Sequence, residues 1–248
     1  MANATTFGRQ AAKYARGRPG YPPELYQWIA DNSPAHNQVW DIGTGSGQAA
    51  KSLADYFKAV HATDISKAQI AAAILHPKIF YHTAPAHMSG LEAHSVDCMT
   101  VATALHWFSD SVFWDEIKRV ATKNAFFCAW TYQLPECETE VHTDFLDPLF
   151  ALIDPYWADG NRICMAGYSA EVLNCPFPTI APPAFDAGGL WTAQQLVDFA
   201  ESWSAHFRAR EDGLTEDLNA LSAKFMTNMR DKAIKFSLPI SVLAARIP

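Results

Sequence analysis

Residues 39–48 read VWDIGTGSGQ, and this stretch decides the fold. Val39, Trp40, Asp41 and Ile42 form a short strand, and Gly43, Gly45 and Gly47 end it. Ala49, Ala50, Leu53, Ala54 and Phe57 then recur at helical spacing. A strand, a glycine-rich turn and a helix in that order make the first βα turn of a doubly wound sheet, which borders the ligand crevice. The dinucleotide fingerprint wants a glycine at position 48, where this chain has Gln48. The strand also carries an acid, Asp41, just before the first glycine; a carboxylate there repels a pyrophosphate and suits a cationic ligand.

The alternation extends on both sides. Residues 22–31 read as a short helix, with Pro22 and Pro23 in its first turn and Leu25, Trp28 and Ile29 on one face. A second strand runs from Ala59 to Thr63 and ends at Asp64, and Ser66 is placed to cap a helix carrying Ile70, Ala73 and Ile74. Ile79–His82 and Val96–Val101 are the third and fourth strands; the unbroken apolar character of the fourth suits a strand covered on both faces. Asp110 caps a helix with Phe113, Ile117, Val120 and Ala121 on one side, and Ala125–Trp130 is the fifth strand. Strands alternating with helices specify βαβ units and a parallel sheet with right-handed crossovers.

Beyond Tyr132 the pattern changes. Residues 133–190 are rich in proline and loops, with one helix expected over Glu140–Ile153. Thr192 opens a helix through Phe199, and Leu214, Leu218, Leu221, Phe225 and Met229 mark another. Ile234–Ile247 alternates as a strand, with Pro239 forcing an edge position or a turn. No repeat, low-complexity tract or clean linker interrupts the chain, so the expectation is one domain with an inserted cap.

Composition narrows the function classes. With 248 residues, 49% hydrophobic and 18% charged, the chain has material for a sizeable core and is not a disordered or collagen-like protein. No apolar run approaches the ~18–20 residues of a membrane-spanning helix. The net charge of −7 argues against a nucleic-acid partner, because neutralising phosphates needs a basic surface. Five cysteines without a C-x-x-C pair argue against a disulfide framework and a zinc site, and for a reducing, cytoplasmic setting. Cys98 and Cys128 lie in apolar runs and read as small buried hydrophobes. Nine histidines show no H-E-x-x-H spacing, so no metal is expected. The charge is uneven. Residues 1–23 hold Arg9, Lys13, Arg16 and Arg18 and no acid, which leaves 15 − 26 = −11 on the rest. A transit peptide is one reading of such a start, but the Gly and Pro content favours a folded segment, here expected to be a lid.

Asp41 before the glycines and Asp64 at the end of the second strand favour a cofactor with an amino group and a ribose diol, S-adenosylmethionine. The sequence resembles the class I S-adenosylmethionine-dependent methyltransferases in Asp41–Gly47 (DIGTGSG), in HATDIS with Asp64, and in SVDCMTVATALHWF at 95–108. YARGRPGYP (14–22), ALHWF (104–108) and ESWSA (201–205) resemble the small-molecule carboxyl methyltransferases that include trans-aconitate methyltransferases. The resemblance is strong over residues 14–130 and thin beyond.

It implies a doubly wound, mostly parallel seven-stranded α/β sheet of Rossmann-like methyltransferase type, with a helical and loop cap inserted in the C-terminal half. It implies a single domain over 1–248: a lid at 1–23, a cofactor-binding core at 24–132, and a substrate cap with the final strands at 133–248. It also implies roles. Gly43, Thr44 and Gly45 lie against the methionine end of the cofactor, and Asp41 holds its amino group through water. Asp64 accepts from both ribose hydroxyls, Ile65 packs on adenine, and Ala86 and His87 sit beside it. His87 stands where relatives often have Glu. Thr103 and Ala104 face the sulfonium, while Tyr14 and Arg18 close over the site. Arg18, Trp107 and Trp203 wall the substrate, although Trp203 reads first as a core residue. His106 is the candidate catalytic base, or else a buried histidine satisfied by neighbours. The expected reaction is methyl transfer to a small-molecule carboxylate, releasing S-adenosylhomocysteine. Two alternatives stay open: C- or O-methylation of a quinone-like ring, and a non-catalytic regulatory protein that binds the cofactor.

Overall fold

The computed structural model describes residues 19–248. Helix α1 (Pro23–Asn32) precedes β1 (Gln38–Ile42), α2 (Gln48–Leu53), β2 (Ala59–Asp64), α3 (Lys67–Ala71), β3 (Ile79–Thr83), β4 (Val96–Ala102), α4 (Ser111–Val120) and β5 (Ala121–Tyr132). The expected strands all form, and two of the expected caps hold. Ser66 Oγ accepts from Gln69 N at 3.3 Å, and Asp110 Oδ1 accepts from Phe113 N at 2.9 Å. Such caps are each worth about 1 kcal/mol. Helices α2 and α3 are shorter than their apolar spacing suggests. Ala54 and Phe57 lie past the end of α2, and Ala73 and Ile74 past the end of α3.

The rest of the chain runs β6 (Glu136–Cys137), α5 (Thr139–Val141), a π turn over His142–Leu146, α6 (Asp147–Ile153), α7 (Asp159–Ala166), β7 (Thr179–Ile180), β8 (Phe185–Asp186), β9 (Gly189–Trp191), α8 (Ala193–Glu201), α9 (Ser204–Glu211), α10 (Thr215–Asn228), β10 (Ile234–Ser237) and β11 (Pro239–Arg246). The helix expected over Glu140–Ile153 is real, although a π turn interrupts it. Thr192 caps α8 in a reciprocal capping box with Gln195. Two helices were not expected, α7 and α9.

The main sheet has the order β3-β2-β1-β4-β5-β11-β7. The first five strands are parallel, and β11 is antiparallel to β5. Strands β7 and β8 pair with different residues of β11 and share its outer side, so eight strands fill seven positions. Of the two expectations at Pro239, an edge position or a turn, the chain takes the break, and the single terminal strand is corrected to two. Pro239 separates β10, which joins a small sheet of order β6-β10-β9, from β11, which lies inside the main sheet. As the first residue of β11, Pro239 breaks no interior ladder bond, and its carbonyl accepts from Gln133 N at 2.9 Å.

Alternation along β5 splits the core. Phe126, Cys128 and Trp130 join one apolar cluster with Leu25, Ile29, Leu53 and Phe57, while Phe127 and Ala129 join the other with Phe113, Trp114 and Ile117. Cys98 and Cys128 are buried in the first cluster, as expected of small hydrophobes. The cap residues Phe145, Leu196, Phe199, Trp203 and Phe225 belong to that same cluster. The cap is thereby packed onto the sheet at the carboxyl ends of β4 and β5.

Candidate functional site

The site begins at the turn after β1. Gly47 has φ +84°, and a Cβ there would lie 2.1 Å from the Tyr81 hydroxyl. Gly43 has φ +67°, and a Cβ there would lie 2.9 Å from that of Ala104. Glycine at 43 therefore lets the turn after β1 sit directly against the end of β4. Over Gly45 the space is open.

Two carboxylates frame the turn. Asp41 is fully buried; its Oδ2 accepts from Thr44 Oγ1 at 2.5 Å and its Oδ1 from Thr100 Oγ1 at 3.0 Å. Burial outweighs those hydrogen bonds and pushes its pKa up to about 6. Asp64 accepts from Gly45 N at 2.9 Å and from Ser66 N at 2.8 Å, and burial raises its pKa too. Ile65, beside it, is 65% exposed, an unusual state for isoleucine. Ala86 is half-buried and His87 is exposed in the loop after β3.

Thr103 follows β4 with φ +51°, a left-handed conformation that a β-branched residue rarely adopts, at a cost of order 1–3 kcal/mol. Two contacts hold it there: its N–H donates to Trp130 O at 2.7 Å, and its Oγ1 meets the Tyr21 hydroxyl at 3.0 Å. Tyr21 stacks on Tyr132 with ring centroids 4.8 Å apart, and the Tyr132 hydroxyl donates to Pro19 O at 2.6 Å. The chain leading into α1 is thus pinned to the ends of β4 and β5.

Thr103 also borders a cavity of about 70 Å³ beneath the cap, lined by Thr131, Tyr132, Gln133, Phe150, Trp157, Asn161, Cys164, Phe199 and Trp203 among others. Trp203 is core, 5% exposed and stacked on Phe150 at 5.5 Å, and it also borders the cavity. Trp107 does not line this cavity; it lies against His106 with centroids 4.5 Å apart. The His106 Nδ1 meets the Tyr168 hydroxyl at 2.8 Å and Cys164 Sγ at 3.0 Å, and burial lowers its pKa to about 3. Arg162 in α7 pairs with Asp154 at 3.2 Å. Tyr14 and Arg18 lie outside the described residues.

Comparison with known proteins agrees with this geometry. A family model described as a methyltransferase domain matches residues 40–129. A solved structure from Anaeromyxobacter dehalogenans, named as a type II methyltransferase, is 33% identical, covers 93% of this chain and 98% of its own, and superposes with a TM-score of 0.84. This chain belongs to the class I S-adenosylmethionine-dependent methyltransferases. Among curated relatives, a Dictyostelium discoideum protein named as a methyltransferase is 28% identical over 97% of this chain and 94% of its own. A Saccharomyces cerevisiae protein named as an S-adenosylmethionine-dependent methyltransferase is 26% identical over 79% of each chain.

Within this methyltransferase the sequence reading brought together Asp41, Gly43, Thr44, Gly45, Asp64, Thr103 and Ala104, and it missed several partners. Tyr21 had a signal, being the last tyrosine of the YARGRPGYP stretch. Trp157, Gln133, Asn161, Cys164 and Tyr168 had none, because they reach the cavity and His106 from separate cap segments. Among the described residues no helix is long and apolar enough to cross a membrane, and no cluster of metal-ligating side chains appears.

Proposed function

We propose that this methyltransferase transfers a methyl group from S-adenosylmethionine to the carboxylate of a small organic acid. The chain's residues suit that cofactor. Asp41 and Asp64 offer carboxylates for an ammonium group and a ribose diol, the space over Gly45 is open to a ligand, and Ile65 offers an exposed apolar face to adenine. Ala86 and His87 lie alongside, and Thr44 keeps Asp41 oriented. When bound, the cofactor would supply an already activated methyl group, and the chain's own residues would align the acceptor oxygen without having to move a proton.

One observation carries the choice of acceptor. His106 sits beside the cavity with its pKa lowered to about 3, and it is already engaged by Tyr168 and Cys164. An efficient general base has a pKa near the working pH. A hydroxyl or carbon acid would lack one among the described residues here, whereas a carboxylate arrives deprotonated at pH 7. In this reading His106, held against Cys164 of the cavity lining, backs the wall behind the acceptor and holds no proton. Alignment and exclusion of water are then the protein's main contribution. Residues 1–23, on their sequence, are assigned the role of a lid. Residues 24–132 hold the cofactor, and 133–248 supply the cap and the last strands of the one domain.

The test is a metabolite extract incubated with isotopically labelled methyl donor, with labelled products identified by mass spectrometry. A methyl ester released by mild base is expected. A base-stable label would move the reaction to a quinone-like ring. Tight binding of S-adenosylhomocysteine with no labelled product would make the chain a regulatory protein.

A further inference from the structure

The cavity next to Thr103 is walled by rings, and three of the residues lining it carry donors that the fold leaves unused. The Trp157 indole N–H is buried and makes no hydrogen bond. An orphaned buried donor costs about 1–3 kcal/mol, so its position calls for a ligand or a function. Gln133 lines the same cavity and uses only its backbone N–H, toward Pro239 O. Asn161 accepts from Ser204 Oγ at 3.3 Å through its Oδ1, which orients the amide and leaves its NH₂ without a recorded partner. All three donors are uncharged.

We infer that Trp157, Gln133 and Asn161 form the acceptor's recognition set and seat one carboxylate of a short-chain acid. This rests on the carboxylate reading above and adds the residues that select the acid. A carboxylate has about four lone-pair sites. Three neutral donors occupy three of them and leave one for the methyl group. Neutral donors also withdraw less electron density than a guanidinium, so the free oxygen keeps its nucleophilicity. The cavity volume is about 70 Å³. So small a space suits a short-chain acid, for which butanoate is the probe. The aromatic walls, with Phe150 and Trp203 stacked, suit its alkyl tail.

The experiment uses the full chain saturated with S-adenosylhomocysteine and labelled with ¹⁵N on its eight tryptophans. Trp157→Phe keeps a ring in place and identifies the Trp157 indole resonance by its disappearance. Butanoate should move that resonance downfield, and butanamide should move it far less. Asn161→Asp keeps an acceptor for Ser204 but replaces the NH₂ by an oxygen. It should weaken butanoate at least tenfold and leave butanamide unchanged. Trp157→Phe should weaken butanoate about ten- to a hundredfold. A Trp157 resonance indifferent to butanoate, equal shifts from both probes, or unchanged butanoate affinity in Asn161→Asp would overturn the assignment. If labelled products are esters and these results still fail, the recognition set alone falls. If the products are not esters, the carboxylate reading falls and takes this inference with it.

Discussion

The turn after β1 and the cavity beneath the cap solve their problems with different materials. The turn uses two carboxylates, Asp41 and Asp64, held by hydroxyls and backbone N–H groups within a few residues of consecutive parallel strands. The cavity uses aromatic rings and neutral amides drawn from β5, the chain after it, α6, α7, α8 and Trp203. The first is a charged device built on adjacent parallel strands, the second an apolar one that draws on the cap. Charge at the turn costs stability in the ligand-free fold and returns it on binding, whereas the rings of the cavity stabilise the fold with or without ligand.

The largest effect tests that cost. Burial raises the Asp41 pKa from 3.8 to about 6, so the folded protein binds the proton more tightly than the unfolded chain does. Stability is therefore present below about pH 3.8 and is lost as pH rises toward 6. Asp41→Asn should stabilise the ligand-free protein at pH 7 by about 3 kcal/mol, seen as a raised Tm, while weakening S-adenosylhomocysteine. Wild-type affinity for that ligand should fall below pH 6 as Asp41 protonates. A variant no more stable than wild type at pH 7 would mean that the Thr44 and Thr100 hydroxyls already offset the burial.

Asp64→Ala comes next. Hydrogen bonds to a charged group are worth roughly 1.5–3 kcal/mol, so calorimetry should show S-adenosylhomocysteine bound ten- to a hundredfold more weakly. Butanoate affinity should hardly change. Equal losses for both ligands would erase the distinction between the two regions.

The cavity side should respond less to loss of its histidine. With no proton to move, His106→Ala should lower kcat less than tenfold at saturating cofactor. A loss of 10²–10⁴ would identify His106 as a base. Its depressed pKa has a second signature. The folded state keeps the imidazole neutral while the unfolded chain protonates near pH 6.5, so stability falls as pH drops below that value. His106→Gln should flatten this acid limb in denaturant titrations from pH 7 to pH 4.

The smallest effect lies between the regions. Tyr21→Phe removes the hydroxyl on Thr103 and should cost about 1 kcal/mol of stability, measured by urea unfolding. Its ligand signature is a weakening of both S-adenosylhomocysteine and butanoate, because Thr103 borders the turn and the cavity. Loss of only one would assign the Tyr21–Thr103 contact to that side alone.

The sequence by itself determined what depends on neighbours along the chain. The caps at Ser66, Asp110 and Thr192 act within a few residues, and the glycines after β1 and the acids at 41 and 64 sit at strand ends that the local pattern marks, where spacing translates directly into position. The unbroken apolar run of β4 told of a buried strand for the same reason. Only the tertiary structure decided the rest. Helices α7 and α9 lack the long apolar repeat that marks a helix, and packing against the shared core forms them instead. Pro239 divides one alternating stretch between two sheets, because pairing partners far off in the chain choose which ladder each half joins. The cavity brings Thr103, Gln133, Trp157, Asn161 and Trp203 to one place, and no local pattern encodes a convergence across that much chain.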